Sequence, residues 1–289
     1  MRSRFRSALE PDRSPPMPDL PSRPLPDRRA LLAAALALAA RPLVGTARAQ
    51  EADAAADPRL NSEAVSFQLR KQFFRGQLVR LRTGGRRPGI LLIHDQRGVD
   101  PFFRGLARRL ALDGFVVMLP DLLSPYAVAG EIPEEAQSIL ARIVPAETML
   151  ALDAAADLLV KHPECTGSIA ALGFIWGGTH ALQFALQGNR VKAAVAYYAV
   201  PPAADRMVDV KVPVQFHWSE NDPRTAPIVD VMEKRMIGAG RPFEAWTYAD
   251  TRSGFASEPA DPRRWDKVAA DRAYERTVFF LKRNLLSGG

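Results

Sequence analysis

Between Ser168 and Leu182 the sequence reads Ser-Ile-Ala-Ala-Leu-Gly-Phe-Ile-Trp-Gly-Gly-Thr-His-Ala-Leu. An apolar run from Ile169 to Leu172 meets Gly173, and Gly177 and Gly178 then lead into a segment of helical character from Thr179. Small residues two before and two after a central position let the backbone fold tightly between a strand and a helix. That turn exposes the central side chain, as a nucleophile attacking a carbonyl carbon requires. Here the central residue is Ile175, which has no lone pair to attack with. The frame of an acyl-transfer site is written clearly and its reagent is missing. Two carboxylates stand out beside it: Asp222, in Glu220-Asn221-Asp222-Pro223, and Asp95, in His94-Asp95-Gln96-Arg97-Gly98. Asp95 could act as a base only if desolvation raised its pKa, and a loop aspartate so close to Arg97 is more often paired with it.

The elements that must position these residues follow from hydrophobic periodicity. Val65, Phe67 and Leu69 alternate with polar residues, and Phe74 to Arg80 do so less cleanly; these predict two half-buried antiparallel strands, with Gly84-Gly85 as a turn. Gly89 to His94, Phe115 to Leu119, Ile169 to Leu172, Val191 to Tyr198, Val212 to Trp218 and Phe243 to Tyr248 are compact apolar runs. Runs of this kind suit strands covered on both faces in a parallel sheet. Helices are expected over Pro101–Leu112, around Glu134–Ile143, over Pro145–Val160, after the elbow, and over Ala226–Ala239. A closing helix is expected from Asp261 as N-cap and Pro262 as first residue to about Leu286. The stretch from Pro120 to about Ile132 reads as a long irregular loop, of the sort that often serves a site. Strands alternating with helices predict an α/β domain: a doubly wound, mostly parallel sheet with helices on both faces.

Composition bounds the rest. The 289 residues carry a net charge of +7, but residues 1–49 hold nine arginines against four acids, leaving 30 basic and 28 acidic residues elsewhere. The folded part has no charge case for nucleic acid. Arg28-Arg29 precede an eleven-residue Ala/Leu run ending at Ala40, and Ala47-Arg48-Ala49 offers small residues for a signal peptidase. A span needs about 20 apolar residues, so residues 1–49 read as a removable, twin-arginine-like signal peptide and not a membrane anchor. The protein is then exported, periplasmic or extracellular, and Met17 is an alternative start. Residues 50–62 read as a linker and residues 63–289 as the domain. Cys165 has no partner cysteine and is expected in a loop, with a structural role. No histidine spacing suggests a metal site, and neither metal nor cofactor is expected.

Five motifs then occur together and in order: His94-Asp95-x-x-Gly98, Leu119-Pro120-Asp121-Leu122, Gly173-x-x-x-Gly177-Gly178, Ala193 to Tyr198, and Val212-Pro213 through Glu220-Asn221-Asp222-Pro223. The ordered set resembles the dienelactone hydrolase (carboxymethylenebutenolidase) family, of α/β-hydrolase fold, over residues 63–287. The resemblance implies a triad in which the nucleophile falls on Ile175, the acid on Asp222, and the histidine on Ser253. The arginine that binds the substrate carboxylate falls on Ser257. It also implies oxyanion donors in the backbone N–H groups of Gln96 and Trp176. All four histidines, His94, His162, His180 and His217, precede Asp222, whereas this fold takes its base from a loop after the last strand.

His94 and His217 therefore read as packed, structural residues, His180 as facing pocket or solvent, and Ser253 as no nucleophile without a base. The expected function is that of a non-catalytic family member binding a small organic acid or ester, or a partner, through Asp95, Gln96 and Trp176. Ile175 and Trp176 would form an apolar floor. The alternatives are an ester or lactone hydrolase working around Asp95 and the oxyanion loop, and a purely structural protein. A cavity with a polar rim beside Ile175 favours binding, and a carboxylate pushed strongly upward there favours catalysis.

Overall fold

The structure, a computed structural model, describes residues 57–126, 140, 143–188, 190–202, 205–257 and 263–286. The expected signal peptide, the linker up to residue 56, most of the helix expected around Glu134–Ile143, and the expected cap Asp261 lie outside the described residues.

Among the described residues eight strands form one sheet: β1 (Leu60–Leu69), β2 (Gln72–Leu81), β3 (Arg87–Ile93), β4 (Val116–Asp121), β5 (Cys165–Phe174), β6 (Ala193–Tyr197), β7 (Val214–Ser219) and β8 (Phe243–Tyr248). Their spatial order is β1-β2-β4-β3-β5-β6-β7-β8. β1 and β2 form an antiparallel hairpin and β2 pairs antiparallel with β4, whereas β4 through β8 are mutually parallel. β1 begins at Leu60, so three residues of the expected linker belong to the sheet. Leu60 is buried opposite Leu81 at the end of an unbroken ladder, which pairs backbone regardless of the polar Asn61 and Ser62. The hairpin turns at Arg70 (φ 53°), and Gly84 and Gly85, both left-handed, carry the chain from β2 towards β3.

Among the described residues five helices cover the sheet: α1 (Pro101–Leu112), α2 (Pro145–Lys161), α3 (Trp176–Leu186), α4 (Ala226–Gly238) and α5 (Lys267–Leu286). The period of two in the strands sorts them. Ile90 and Leu92 of β3 pack with Phe103 and Leu110 of α1 and Phe280 of α5, whereas Leu91 and Ile93 face Leu152 of α2, Leu182 of α3 and Met232 of α4. Both faces are covered, as the apolar runs require.

α5 starts at Lys267, later than the Asp261-Pro262 pair suggests. The cap is Asp266, whose carboxylate accepts from Ala269 N (2.9 Å) and whose carbonyl accepts from Ala270 N (2.8 Å). Cys165 is the first residue of β5, not part of a loop; it is buried, and burial pushes its thiol pKa up. Past β4, Ser124–Tyr126 form a short 3-10 turn over the buried Leu123.

Candidate active site

The site gathers at the carboxyl ends of β3, β5, β6 and β7, where a parallel sheet presents its loops. The sharpest of its turns is at Ile175, between β5 and α3, with φ 51° and ψ −110°. Glycine dominates this conformation, and a β-branched side chain there is a true outlier. The surroundings enforce it. Ile175 N donates to Tyr197 O (2.8 Å) and Thr179 N donates to Ile175 O (3.1 Å). A Cβ on Gly173 would run into the Gly177 carbonyl, and one on Gly177 into the His94 carbonyl. Tyr198, just past β6, is also left-handed (φ 51°), and its hydroxyl accepts from Ala256 N (2.9 Å).

The loop after β3 is anchored by His94, fully buried: its Nδ1 donates to Asp95 O (2.6 Å) and its Nε2 accepts from Leu122 N (3.0 Å). The proton thus sits on Nδ1, and His94 is structural. Asp95 is buried and held by one residue, Arg97, through its backbone N (2.8 Å to Oδ1), its Nη2 (2.7 Å to Oδ2) and its Nε (3.0 Å to Oδ2). Arg97 also lies 3.4 Å from Asp100, the N-cap of α1, whose carboxyl burial pushes up. Asp100 lies behind Arg97 and is not among the residues lining the cavity.

Asp222, after β7, is almost fully buried and repeats the same device two residues from its own arginine. Arg224 donates from its backbone N (3.0 Å) and Nε (3.0 Å) to Oδ1 and from Nη2 to Oδ2 (2.6 Å). Nη2 also reaches Ser253 Oγ (2.8 Å) and Tyr198 O (3.3 Å). A guanidinium therefore bridges Asp222 to Ser253. It has only donors and cannot take a proton from a nucleophile.

A cavity of about 230 Å³ opens between these loops. Phe102, Phe103, Phe174 and Tyr198 contribute an aromatic wall around Ile175, with the Phe102 and Phe174 rings 5.4 Å apart edge to face. Its polar lining includes Gln96, Arg97, Ser253, Ser257 and Arg264. Of the residues expected at the site, Ile175, Asp95, Gln96 and Ser253 line this cavity, and Asp222 stands behind Arg224. The Trp176 indole does not form its floor. It stacks between the rings of His94 (5.8 Å) and His180 (4.3 Å), because the first turn of α3 lies over the buried His94. The backbone N–H groups of Trp176 and Gln96 have no acceptor among the described residues. His180 faces neither pocket nor solvent: it is buried, its Nδ1 bonded to Trp176 O (2.8 Å), and burial lowers its pKa. His217 lies in β7, fully buried, with its pKa pushed down to about 3 by burial. Among the described residues no group of three or more His, Cys, Asp or Glu is placed to hold a metal.

Sequence reasoning missed Arg224 and Arg264. The signal for Arg224 was present in duplicate, since Asp95-Gln96-Arg97 and Asp222-Pro223-Arg224 share the pattern Asp-x-Arg.

The sequence pattern that defines the dienelactone hydrolase family matches residues 74–285. The chain belongs to the dienelactone hydrolase family. A carboxymethylenebutenolidase of Rhodococcus opacus is 30% identical over 211 residues, covering 69% of this chain and 82% of that protein. A second carboxymethylenebutenolidase, from a Pseudomonas strain, is 30% identical over 220 residues, covering 72% and 90%. Among solved structures, a dienelactone hydrolase from Anabaena variabilis superposes with a TM-score of 0.60 at 19% identity, covering 78% of this chain and 99% of that one. A dienelactone hydrolase-like promiscuous phosphotriesterase from metagenomic libraries gives 0.67 at 18% identity, with the same coverage. The structural likeness establishes the α/β-hydrolase fold. The turn between β5 and α3 carries the alkyl side chain of Ile175. Asp222 is paired to Arg224.

Proposed function

We propose that the protein is an exported, non-catalytic member of the dienelactone hydrolase family that binds a small organic acid or ester in the cavity beside Ile175. The Asp222–Arg224–Ser253 chain carries the reading, because its central group is a guanidinium, a donor only, which cannot serve as a general base. Without an attacking atom or a base, what remains is the strained elbow, two backbone N–H groups with no acceptor among the described residues, and a lined cavity. Those parts recognise a carbonyl or carboxylate oxygen without turning it over. Residual rates of about 10³ to 10⁴ over water are the most that such a remnant gives in the serine-protease precedent. The reading of a hydrolase built on Asp95 has less support, since Arg97 meets both carboxylate oxygens from three donors. Export rests on the twin arginines, the short apolar run and the Ala-x-Ala site of residues 1–49. Among the described residues no helix is long and apolar enough to cross a membrane.

Ester and lactone hydrolysis by the purified chain tests the reading, with Asp222→Ala as control for contaminating esterases. Turnover that tracks the natural chain and falls with Asp95→Asn overturns it; rates equal in all three support it. Cell fractionation of the full chain, with Arg28-Arg29 changed to Lys-Lys as control, tests export.

A further inference from the structure

Away from the cavity, helix α5 carries an outer ridge with a spacing of its own. Ala269, Ala273, Phe280 and Leu281 are buried and turn the helix's inner side to the core. The opposite side presents Val268, Arg272, Glu275, Phe279, Lys282 and Leu286. Steps of four and three in alternation are those of a coiled-coil seam, which keeps one line of side chains facing a second helix. The apolar members of the line stand out in water: Val268 is 67% exposed, Phe279 65% and Leu286 59%. Single exposed apolar residues are ordinary, but these share one ridge. Phe279 also forms, with Leu112, Tyr274 and Val278, the apolar lining of a groove of about 550 Å³ between α1 and α5, so the apolar surface continues beside the ridge.

The charges on the ridge say what lies opposite. Arg272 and Glu275 make no salt bridge or hydrogen bond among the described residues, whereas Lys267, Asp271 and Arg283 of the same helix do. A second α5 running antiparallel, with a two-fold axis between Ala273 and Tyr274, sets Arg272 against the partner's Glu275 and Val268 against the partner's Phe279. The axis repeats both contacts, as an isologous interface must. Moving the axis one seam position along, to Thr277, sets Arg272 against the partner's Lys282 and Glu275 against the partner's Phe279. Parallel pairing sets each charge against its own kind. Of the registers that the seam allows, one alone matches opposite charges and apolar side chains together.

We propose that the protein self-associates through α5, as a two-fold antiparallel helix pair centred between Ala273 and Tyr274. The stretch from Val268 to Phe279 is about 17 Å long. Two helices touching over that length bury less than the roughly 1,200 Å² of a standard interface, which makes this a transient dimer with a dissociation constant of about 10 to 100 μM.

Sedimentation velocity of the full chain over about 1 to 500 μM tests the pairing, and a rise from monomer to dimer is expected across that range. Arg272→Glu gathers four acids at the centre and Glu275→Arg gathers four arginines, so each should weaken association about 10-fold or more. An equimolar mixture of the two single variants should dimerise again, as should Arg272→Glu/Glu275→Arg in one chain. Both positions are exposed, so each variant should melt within about 2 °C of the natural chain. Monomer at every concentration overturns the proposal and leaves the ridge to a partner other than this chain. A dimer that both single variants keep is held by another surface and overturns it as well. Loss in the single variants without recovery in the mixture and the double variant refutes the charge-matched register.

Discussion

Glycine at position 175 should be more stable than alanine, the reverse of the ordinary order. Away from special conformations, glycine costs about 0.5 to 1 kcal/mol relative to alanine because the unfolded chain has more freedom to lose. Ile175 sits at φ 51° and ψ −110°, where an L side chain pays about 1 to 3 kcal/mol and glycine pays almost nothing. Ile175→Ala loses the half-buried apolar atoms and keeps the strain. Ile175→Gly loses one further methyl, about 0.8 kcal/mol if fully buried and about half that here, and releases the strain. Setting about 2 kcal/mol of relief against about 1 kcal/mol of combined losses leaves Ile175→Gly about 1 kcal/mol above Ile175→Ala. For a domain of this size that is a melting temperature about 2 to 4 °C higher. Thermal melts followed by circular dichroism, with urea unfolding as a second measure, decide it. If alanine equals or exceeds glycine, the elbow is relaxed, and the argument that the fold holds a poised nucleophile position without a nucleophile fails.

Three further outcomes follow from the site. Arg224→Ala leaves the Asp222 carboxylate buried and unpaired, at about 3 kcal/mol, the low end for a broken buried pair because the Arg224 side chain is 42% exposed and water can enter behind it; the double variant Asp222→Ala/Arg224→Ala should be more stable than Arg224→Ala alone in urea unfolding. Ile175→Cys/Ser253→His should hydrolyse activated esters weakly while Arg224 holds Asp222, and adding Arg224→Ala should raise the rate about 10²-fold or more, the contribution of a positioned base; equal rates would show that Arg224 does not occupy the base's place. The folded-state pKa of His217, about 3, lies below the unfolded value of about 6.5. The unfolded chain thus takes the proton first, and the stability His217 contributes is whole above about pH 6.5 and lost as pH falls towards 3. That amounts to about 2 kcal/mol lost by pH 5, and His217→Gln should flatten this slope in urea titrations at pH 5 to 8.

The fold was legible because its signals were redundant. Ile90 to Ile93 is apolar throughout and had to be a doubly covered strand, and Gly173, Gly177 and Gly178 could satisfy the turn in only one way. Boundaries were less so: Asp261-Pro262 has the chemistry of a helix start, yet Asp266 supplies the cap, and composition does not rank two good caps five residues apart. At the site, Ile175 and Ser253 line one cavity and Asp222 stands behind Arg224, a junction the sequence did not reveal. An arginine two residues past an aspartate reads as a solvated surface pair; only the arrangement of Tyr198 O and Ser253 Oγ around its Nη2 turns it inward. The Trp176 indole was misplaced for a similar reason. Spacing puts it beside the cavity, and stacking on His94 and His180 takes it away.

The glycine contacts that shape the elbow also govern its motion. The backbones of Gly173 and Gly177 touch, Gly177 abuts the His94 carbonyl, and Ile175 N is bonded across to Tyr197 O, so β3, β5, β6 and α3 meet with no side chain between them as a cushion. Such a joint has no soft direction. It opens only when the sheet itself opens, and the Ile175 amide should exchange its hydrogen at the rate of global unfolding. The half-buried tip of the elbow is thus among the stillest points of the molecule, a surface that does not yield.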